Sequence, residues 1–346
     1  MNKKLLVYRF SALGDVVMTY PVLMAVLNTN PELEIVFVTR KRFGDLFKGI
    51  DRLKVIELDF DEDYKGFWGL IKLFLKLKSL KPFAVADLHL ILRTRILDAL
   101  FSLFFFKVKA IEKERRAKKR LVNKNHKILK SLSHTTERYL NVFKALGLNV
   151  PNALPKILFK SNNEDLEKKL LKYLDDKMLL PKKKIWIGIA PFAQHENKMW
   201  GLEKVENLVK MLVDSELYEI FLFGGGKKEK KLLDHLAKNI KHSIHNVTGE
   251  FSLSEEMILM KKLDKMLAMD SGNMHMACLA GTEVFSIWGA THPFAGFSPL
   301  YQNENNIISE ELPCRPCSVF GDKVCHRGDK ACMNLISAER VFALLK

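Results

Sequence analysis

The chain has 346 residues, 48% of them hydrophobic, too many for one ordinary core and well suited to two domains of common size. Fifty-six lysines and arginines against 40 aspartates and glutamates leave a formal charge of +16, a field suited to anionic partners. No run reaches the roughly 18 to 20 uncharged apolar residues of a spanning helix. Arg9 and Asp15 break the apolar start and no small-residue cleavage site follows, so the sequence reads as cytoplasmic.

In chain order, short runs rich in Val, Ile and Phe alternate with helix-length amphipathic stretches, the pattern of parallel sheets with helical crossovers. Strands are expected at 5–10, 35–39, 55–58 and 83–88. Residues 147–184 hold Pro151, Pro155 and Pro181 around a charged helical stretch, which puts a domain boundary near residue 160. The alternation then resumes with strands at 185–190, 219–223, 265–269 and 283–288 and helices near 202–213, 227–239 and 272–280. The expected fold is α/β, with two Rossmann-like doubly wound domains, 1–160 and 161–346, and a ligand cleft at their strand carboxyl ends.

Much of the excess charge lies in 107–138, which carries Lys113, Arg115, Arg116, Lys118, Lys119, Arg120, Lys124, Lys127 and Lys130. A solvated loop and helix face accounts for this run as well as an anion site does. The aromatic group Phe67, Trp68 and Phe74 is assigned to helix packing, with contact to a membrane surface as its other use.

Chemistry-bearing residues recur at strand-to-helix turns. The first strand leads into Ser11-Ala12-Leu13-Gly14-Asp15, where small residues let a ligand approach the backbone. Asp15 there either meets a ligand or caps the following helix. Lys198, on the loop 191–200 after the first strand of the second half, is placed to neutralise a leaving pyrophosphate, while Trp200 anchors that loop. Further on, Gly224-Gly225-Gly226 precedes a lysine-rich helix; bare amides at a helix start suit phosphate, and a plain tight turn is the other reading. Asp270-Ser271-Gly272 again opens a helix, offering a carboxylate, a hydroxyl and amides, and His275 in its first turn reaches a phosphate or packs on the sheet.

Cys314, Cys317, Cys325 and Cys332 fall within nineteen residues. The spacing is compatible with a structural zinc site, and equally with reduced thiols packing a loop or with disulfides formed in air. Cys278 reads as a small buried apolar residue.

Together, five ordered segments resemble the heptosyltransferase family of glycosyltransferases over nearly the whole chain. They are Arg9-Phe10-Ser11-Ala12-Leu13-Gly14-Asp15-Val16-Val17 with Pro21, Asp87-Leu88-His89 with Arg93-Thr94, His134 with Glu137-Arg138-Tyr139, Lys198-Met199-Trp200, and Asp270-Ser271-Gly272 with His275. The resemblance implies the GT-B architecture of two Rossmann domains and makes Asp15 the general base instead of a cap. It gives Lys198 a catalytic role against donor phosphate and gives donor binding to Asp270, Ser271, Gly272 and His275, with Gly224, Gly225 and Glu229 added by position. It turns Ser11, Gly14, His89, Arg93 and Arg138, with Arg95 and part of the basic run, toward a phosphorylated or carboxylated acceptor.

The implied reaction is inverting transfer of heptose from ADP-heptose to a lipopolysaccharide inner-core acceptor. No cofactor is required for it, because Lys198 and the amides at Gly225 and Gly272 stand in for a divalent cation. The implied partners are the nucleotide-diphosphate sugar, the lipopolysaccharide core and, through peripheral attachment at the inner face of the inner membrane, a lipid surface; nucleic acid is not among them. Changing the donor to another nucleotide sugar for surface polysaccharide keeps the fold. A non-enzymatic module docking nucleic acid or membrane through 107–138 predicts salt-dependent binding without transfer and leaves two α/β halves unexplained.

Overall fold

A computed structural model describes residues 3–161, 163–240 and 243–346. The chain forms two compact units, Met1–Lys113 with Ser133–Asn163, and Glu114–Leu132 with Glu164–Lys346.

The first unit holds β1 (Lys3–Tyr8), β2 (Leu33–Arg40), β3 (Leu53–Leu58), β4 (Ala84–Asp87) and β5 (Lys107–Ala110) in one parallel sheet of order β3-β2-β1-β4-β5. Leu5 to Tyr8 of β1 and all of β4 are buried, which is why these strands read as apolar runs and not as alternating ones. Strand order reverses between β1 and β4. Crossovers leave to opposite faces at such a point and open a crevice at the carboxyl ends of its two strands.

The second unit holds β6 (Ile185–Ala190), β7 (Tyr218–Leu222), β8 (Ile244–Asn246), β9 (Lys265–Met269), β10 (Glu283–Trp288) and β11 (Ile307–Ser309), all parallel, in the order β11-β10-β9-β6-β7-β8. Its reversal lies between β6 and β9. Trp200 is 2% exposed and its indole N–H donates to the Ile336 carbonyl at 3.0 Å, so it fixes the loop after β6 as expected.

The eight anticipated strands form, and both units are Rossmann-like. Three further strands escaped the sequence reading: β8 and β11 have three residues each, and β5 is a mostly exposed edge strand inside the basic run. That run is also divided between the units. In the second unit, Lys118 lies over the rings of Phe297 (4.7 Å) and Phe320 (5.6 Å). Lys127 donates to the carbonyls of Pro313 (3.1 Å) and Arg315 (2.8 Å), and Leu132 N–H to the Phe294 carbonyl (2.9 Å). Residues 114–132 therefore pack with the second unit, although the sequence drew them with the first domain.

The aromatic patch departs from its assignment to packing. Phe74 is buried on the Gly66–Ser79 helix, but Phe67 and Trp68 are 57% and 80% exposed. Among the described residues no helix is long and apolar enough to cross a membrane.

Glu256, on the Leu253–Lys262 helix, is 8% exposed, and burial pushes its carboxyl up to about 8. Because the folded-state value lies above the unfolded one, the stability this group allows is complete below about pH 4 and declines as pH rises through 8. Glu256→Gln should remove that decline and stabilise the protein by about 2 to 3 kcal/mol at pH 8. Urea unfolding at pH 5 and pH 8 is the check; an equal pH dependence in both proteins would show that Glu256 is not desolvated.

Candidate functional site

In the first unit Arg9, 7% exposed, directly follows β1. Its Nη2 pairs with Asp15 Oδ2 at 2.5 Å, and its Nη1 donates to the Leu88 carbonyl beyond β4 at 2.7 Å. One guanidinium thus ties together the two strands that flank the reversal. Burial, the largest single influence, works against its charge, but Asp15, Tyr139 and Asp87 together outweigh it and hold Arg9 above its ordinary value. Asp15 does not cap the Leu13–Val17 helix: Ala12 occupies the N-cap and no side chain caps it. The carboxylate turns back to Arg9, with 25% of the side chain exposed. The Tyr139 hydroxyl donates to the Asp15 carbonyl at 3.3 Å and fixes the backbone there.

His89 closes the same crevice. Its Nδ1 accepts from Phe10 N–H at 3.4 Å, so the ring proton sits on Nε2, 3.5 Å from Ser11 Oγ. Burial, then the charges of Arg9, Lys113 and Arg40, push the imidazole down to about 2. The ring is neutral at any working pH and serves as a hydrogen-bonding wall, not as a proton carrier.

Arg93 lies over the Phe60 ring at 4.7 Å and Arg40 over the same ring at 5.8 Å. Neither is in ion-pair contact among the described residues, although Arg40 acts at longer range on Asp59, and the two guanidiniums form a positive edge suited to an anion. Sequence reasoning named Arg93 and missed Arg40, whose position at the end of β2 was the available signal. Arg138 is 5% exposed and donates to Thr135 Oγ1 at 2.6 Å in the first turn of the Thr135–Ala145 helix. The run Asp59-Phe60-Asp61 is a turn in which Asp59 Oδ1 accepts from the Asp61 and Glu62 amides.

In the second unit Lys198, following β6, pairs with Asp270 Oδ2, following β9, at 2.9 Å. Thr291 Oγ1 donates to that same oxygen at 2.8 Å. Asp270 therefore aims Lys198. Gly321, at φ +81°, lies against the lysine stem: a Cβ there would meet Lys198 Cγ at 2.5 Å. Ser271 is the N-cap of the Gly272–Ala280 helix but makes no capping bond, and its Oγ is buried without a partner. Beside it are the unpaired first-turn amides and the positive end of the helix, a seat for phosphate. His275 is 6% exposed in this helix.

The glycine turn is engaged differently from expectation. Gly225 N–H donates to Glu229 Oε2 at 2.6 Å, so this carboxylate occupies the amide that the sequence offered to phosphate. A Cβ on Gly224 would meet Glu229 Oε2 and Thr248 Oγ1 at 3.2 Å each. Thr248 is 1% exposed and its Oγ1 has no partner, a polar lining residue that nothing in the sequence singled out.

Cys314, Cys317, Cys325 and Cys332 are free thiols, and among the described residues no group of three or more His, Cys, Asp or Glu is arranged to hold a metal. The zinc reading finds no support in this arrangement. Arg315 is what anchors the segment, donating from Nε to Gly289 O at 2.5 Å, from Nη2 to Thr291 O at 3.1 Å, and from Nη1 to Glu310 O. Cys278 is 1% exposed in the Gly272–Ala280 helix, as a small apolar residue would be.

Residues 84–326, which contain the second constellation and His89 and Arg93 of the first, match the model of glycosyltransferase family 9, the heptosyltransferase family. The chain belongs to this family. It is a glycosyltransferase. The lipopolysaccharide core heptosyltransferase OpsX of Haemophilus influenzae is 25% identical over 89% of this chain and 84% of its own length. The fold is shared with a family 9 glycosyltransferase of Veillonella parvula (TM-score 0.78, 18% identity, 99% of this chain and 96% of that one). It is shared too with the ADP-heptose lipopolysaccharide heptosyltransferase II of Escherichia coli (TM-score 0.71, 19% identity, 99% and 97%).

The second-unit pair carries a stability consequence. Asp270→Ala leaves a nearly buried ammonium without its carboxylate and should cost about 3 kcal/mol. Urea unfolding measures this, and an unchanged midpoint would mean that Lys198 and Asp270 do not pair in solution.

Proposed function

We propose that this glycosyltransferase transfers heptose from ADP-heptose to a lipopolysaccharide inner-core acceptor with inversion at the anomeric carbon, and needs no cofactor. One observation carries the reading: each unit sets a charged pair at its own reversal point, and the two pairs suit the two halves of a glycosyl transfer. A carboxylate with an open oxygen suits proton removal. A lysine beside a helix N-terminus and an unpartnered hydroxyl suits a departing diphosphate.

In the proposed step Asp15 takes the proton of the acceptor hydroxyl. The oxygen forms its bond to the anomeric carbon as the bond from that carbon to the diphosphate oxygen breaks, and ADP leaves with the negative charge. Lys198, Ser271 and the first-turn amides at Gly272 receive that charge, with Asp270 holding Lys198 in place. Gly224, Glu229, Thr248 and His275 line the donor side. Ser11, Gly14 and the neutral His89 shape the acceptor side, and Arg93 with Arg40 meets the acceptor's phosphate or carboxylate.

The donor and acceptor follow from the relatives' names, and the basic edge over Phe60 agrees with an anionic acceptor. An acceptor anchored in lipid is reached from a membrane surface. Peripheral attachment at the cytoplasmic face of the inner membrane is therefore part of the proposal, supported by exposed Phe67 and Trp68 alongside Lys72 and Lys76 on one helix.

The test is a transfer assay with ADP-heptose and UDP-sugars as competing donors, with product configuration read by NMR. ADP-heptose should be used and the configuration inverted, and Asp15→Asn should lower kcat by about 10^3-fold. Preference for a UDP-sugar would reassign the donor, and near-normal turnover by Asp15→Asn would reject the base.

A further inference from the structure

Beneath the crevice of the first unit, three buried oxygens have no hydrogen-bond partner: Tyr8 Oη, Asp87 Oδ2 and Asp98 Oδ1. Tyr8 and Asp87 are both 0% exposed. The Asp98 and Asp87 side chains nevertheless lie within hydrogen-bonding reach of one another, and both act electrostatically on Tyr8. Two ionised carboxylates in contact cannot bond; a single proton between them satisfies both oxygens at once.

The other oxygen of Asp87 favours Asp98 as the donor. Oδ1 accepts from the backbone N–H groups of His89 (2.7 Å) and Leu90 (2.9 Å), an arrangement that calls for an acceptor. Leu90 has φ +51°, a left-handed conformation that a branched residue keeps only when its neighbours hold it there. The segment so held contains Leu88, whose carbonyl accepts from Arg9, and His89, which braces Phe10 and Ser11. Arg9 in turn holds Asp15.

We propose that Asp98 is a positioning residue: protonated, it donates to Asp87 and thereby fixes the 88–90 turn that sets Arg9 and His89 around Asp15. Burial, then the charge of Asp87 and the bond to it, raise the Asp98 carboxyl to about 9, in keeping with this role. The Leu92–Leu103 helix that carries Asp98 packs on the Gly66–Ser79 helix, β4 and β5. Asp87 is the charged group that β4 contributes, Tyr8 stands beside both from β1, and Arg9 acts on Asp87. The lysines nearby are directed elsewhere: Lys72 and Lys76 to the Tyr64 ring, Lys78 to Phe104, and Lys107 to the Leu146 carbonyl, while Lys109 is exposed.

The inference rests on Asp15 being the base, so its test includes a readout that needs no turnover. In the wild-type protein the amide NMR resonances of His89 and Leu90 should shift together in a one-proton titration near pH 9. In Asp98→Asn, which still donates but cannot ionise, they should stay flat. In the transfer assay at pH 7.5, Asp98→Asn should stay within about threefold of wild-type kcat, whereas Asp98→Ala should lose 10- to 100-fold with donor KM unchanged. Identical amide titrations in wild type and Asp98→Asn would overturn the proposal, as would equal damage from Asn and Ala. Loss of the Asp15 role alone would leave the NMR result intact, so the two failures are distinguishable.

Discussion

A parallel doubly wound sheet has one position where neighbouring crossovers leave to opposite faces, and each unit sets a cation against a carboxylate there. In the first, Arg9 reaches from the end of β1 to Asp15 and to the carbonyl beyond β4. In the second, Lys198 after β6 meets Asp270 after β9. Taking such charges out of water costs about as much as their attraction returns, so these pairs are poor stabilisers. What they provide is direction: each locks one charged atom at the mouth of a crevice that the sheet topology leaves open.

The surrounding structure serves that direction. Asp270 accepts from Thr291, whose carbonyl is held by Arg315, and Arg315 also grips Gly289 at the end of β10. The cysteine-bearing segment is thus a brace behind the lysine, and its Gly321 lies on the lysine stem where no side chain would fit. On the other side, Asp87 and His89 organise the turn after β4 so that Arg9 and the Ser11 backbone have fixed partners. In both units the charged pair is held by residues distant in sequence, Leu88 for Arg9 and Asp270 for Lys198.

This explains what the sequence disclosed. Long buried strands announce themselves by composition, and the turns that follow them carry their Asp, Ser and Gly in the open, so both sheets and the positions of Asp15, Lys198 and Asp270 were readable. Pairings were not. The bond from Arg9 to Leu88 spans 79 residues, and nothing local distinguishes it from a solvated arginine. Glu229 was identified but not its hold on Gly225; Arg40 and Thr248 became visible only through Phe60 and Gly224. The division of the basic run between the units was not legible because charge density carries no address: Lys118 and Lys127 lie against rings and carbonyls of the second unit. Exposed Phe67 and Trp68 misled, since apolar composition implies burial only when a partner surface exists.

In the proposed division of labour, the first unit's carboxylate acts on the acceptor and the second unit's lysine on the diphosphate. Calorimetric titration of ADP, without any acceptor, tests it most directly. Lys198→Met should weaken ADP binding at least tenfold, about 1.4 kcal/mol, while Asp15→Asn leaves it unchanged. ADP affinity lost in Asp15→Asn and kept in Lys198→Met would contradict the account.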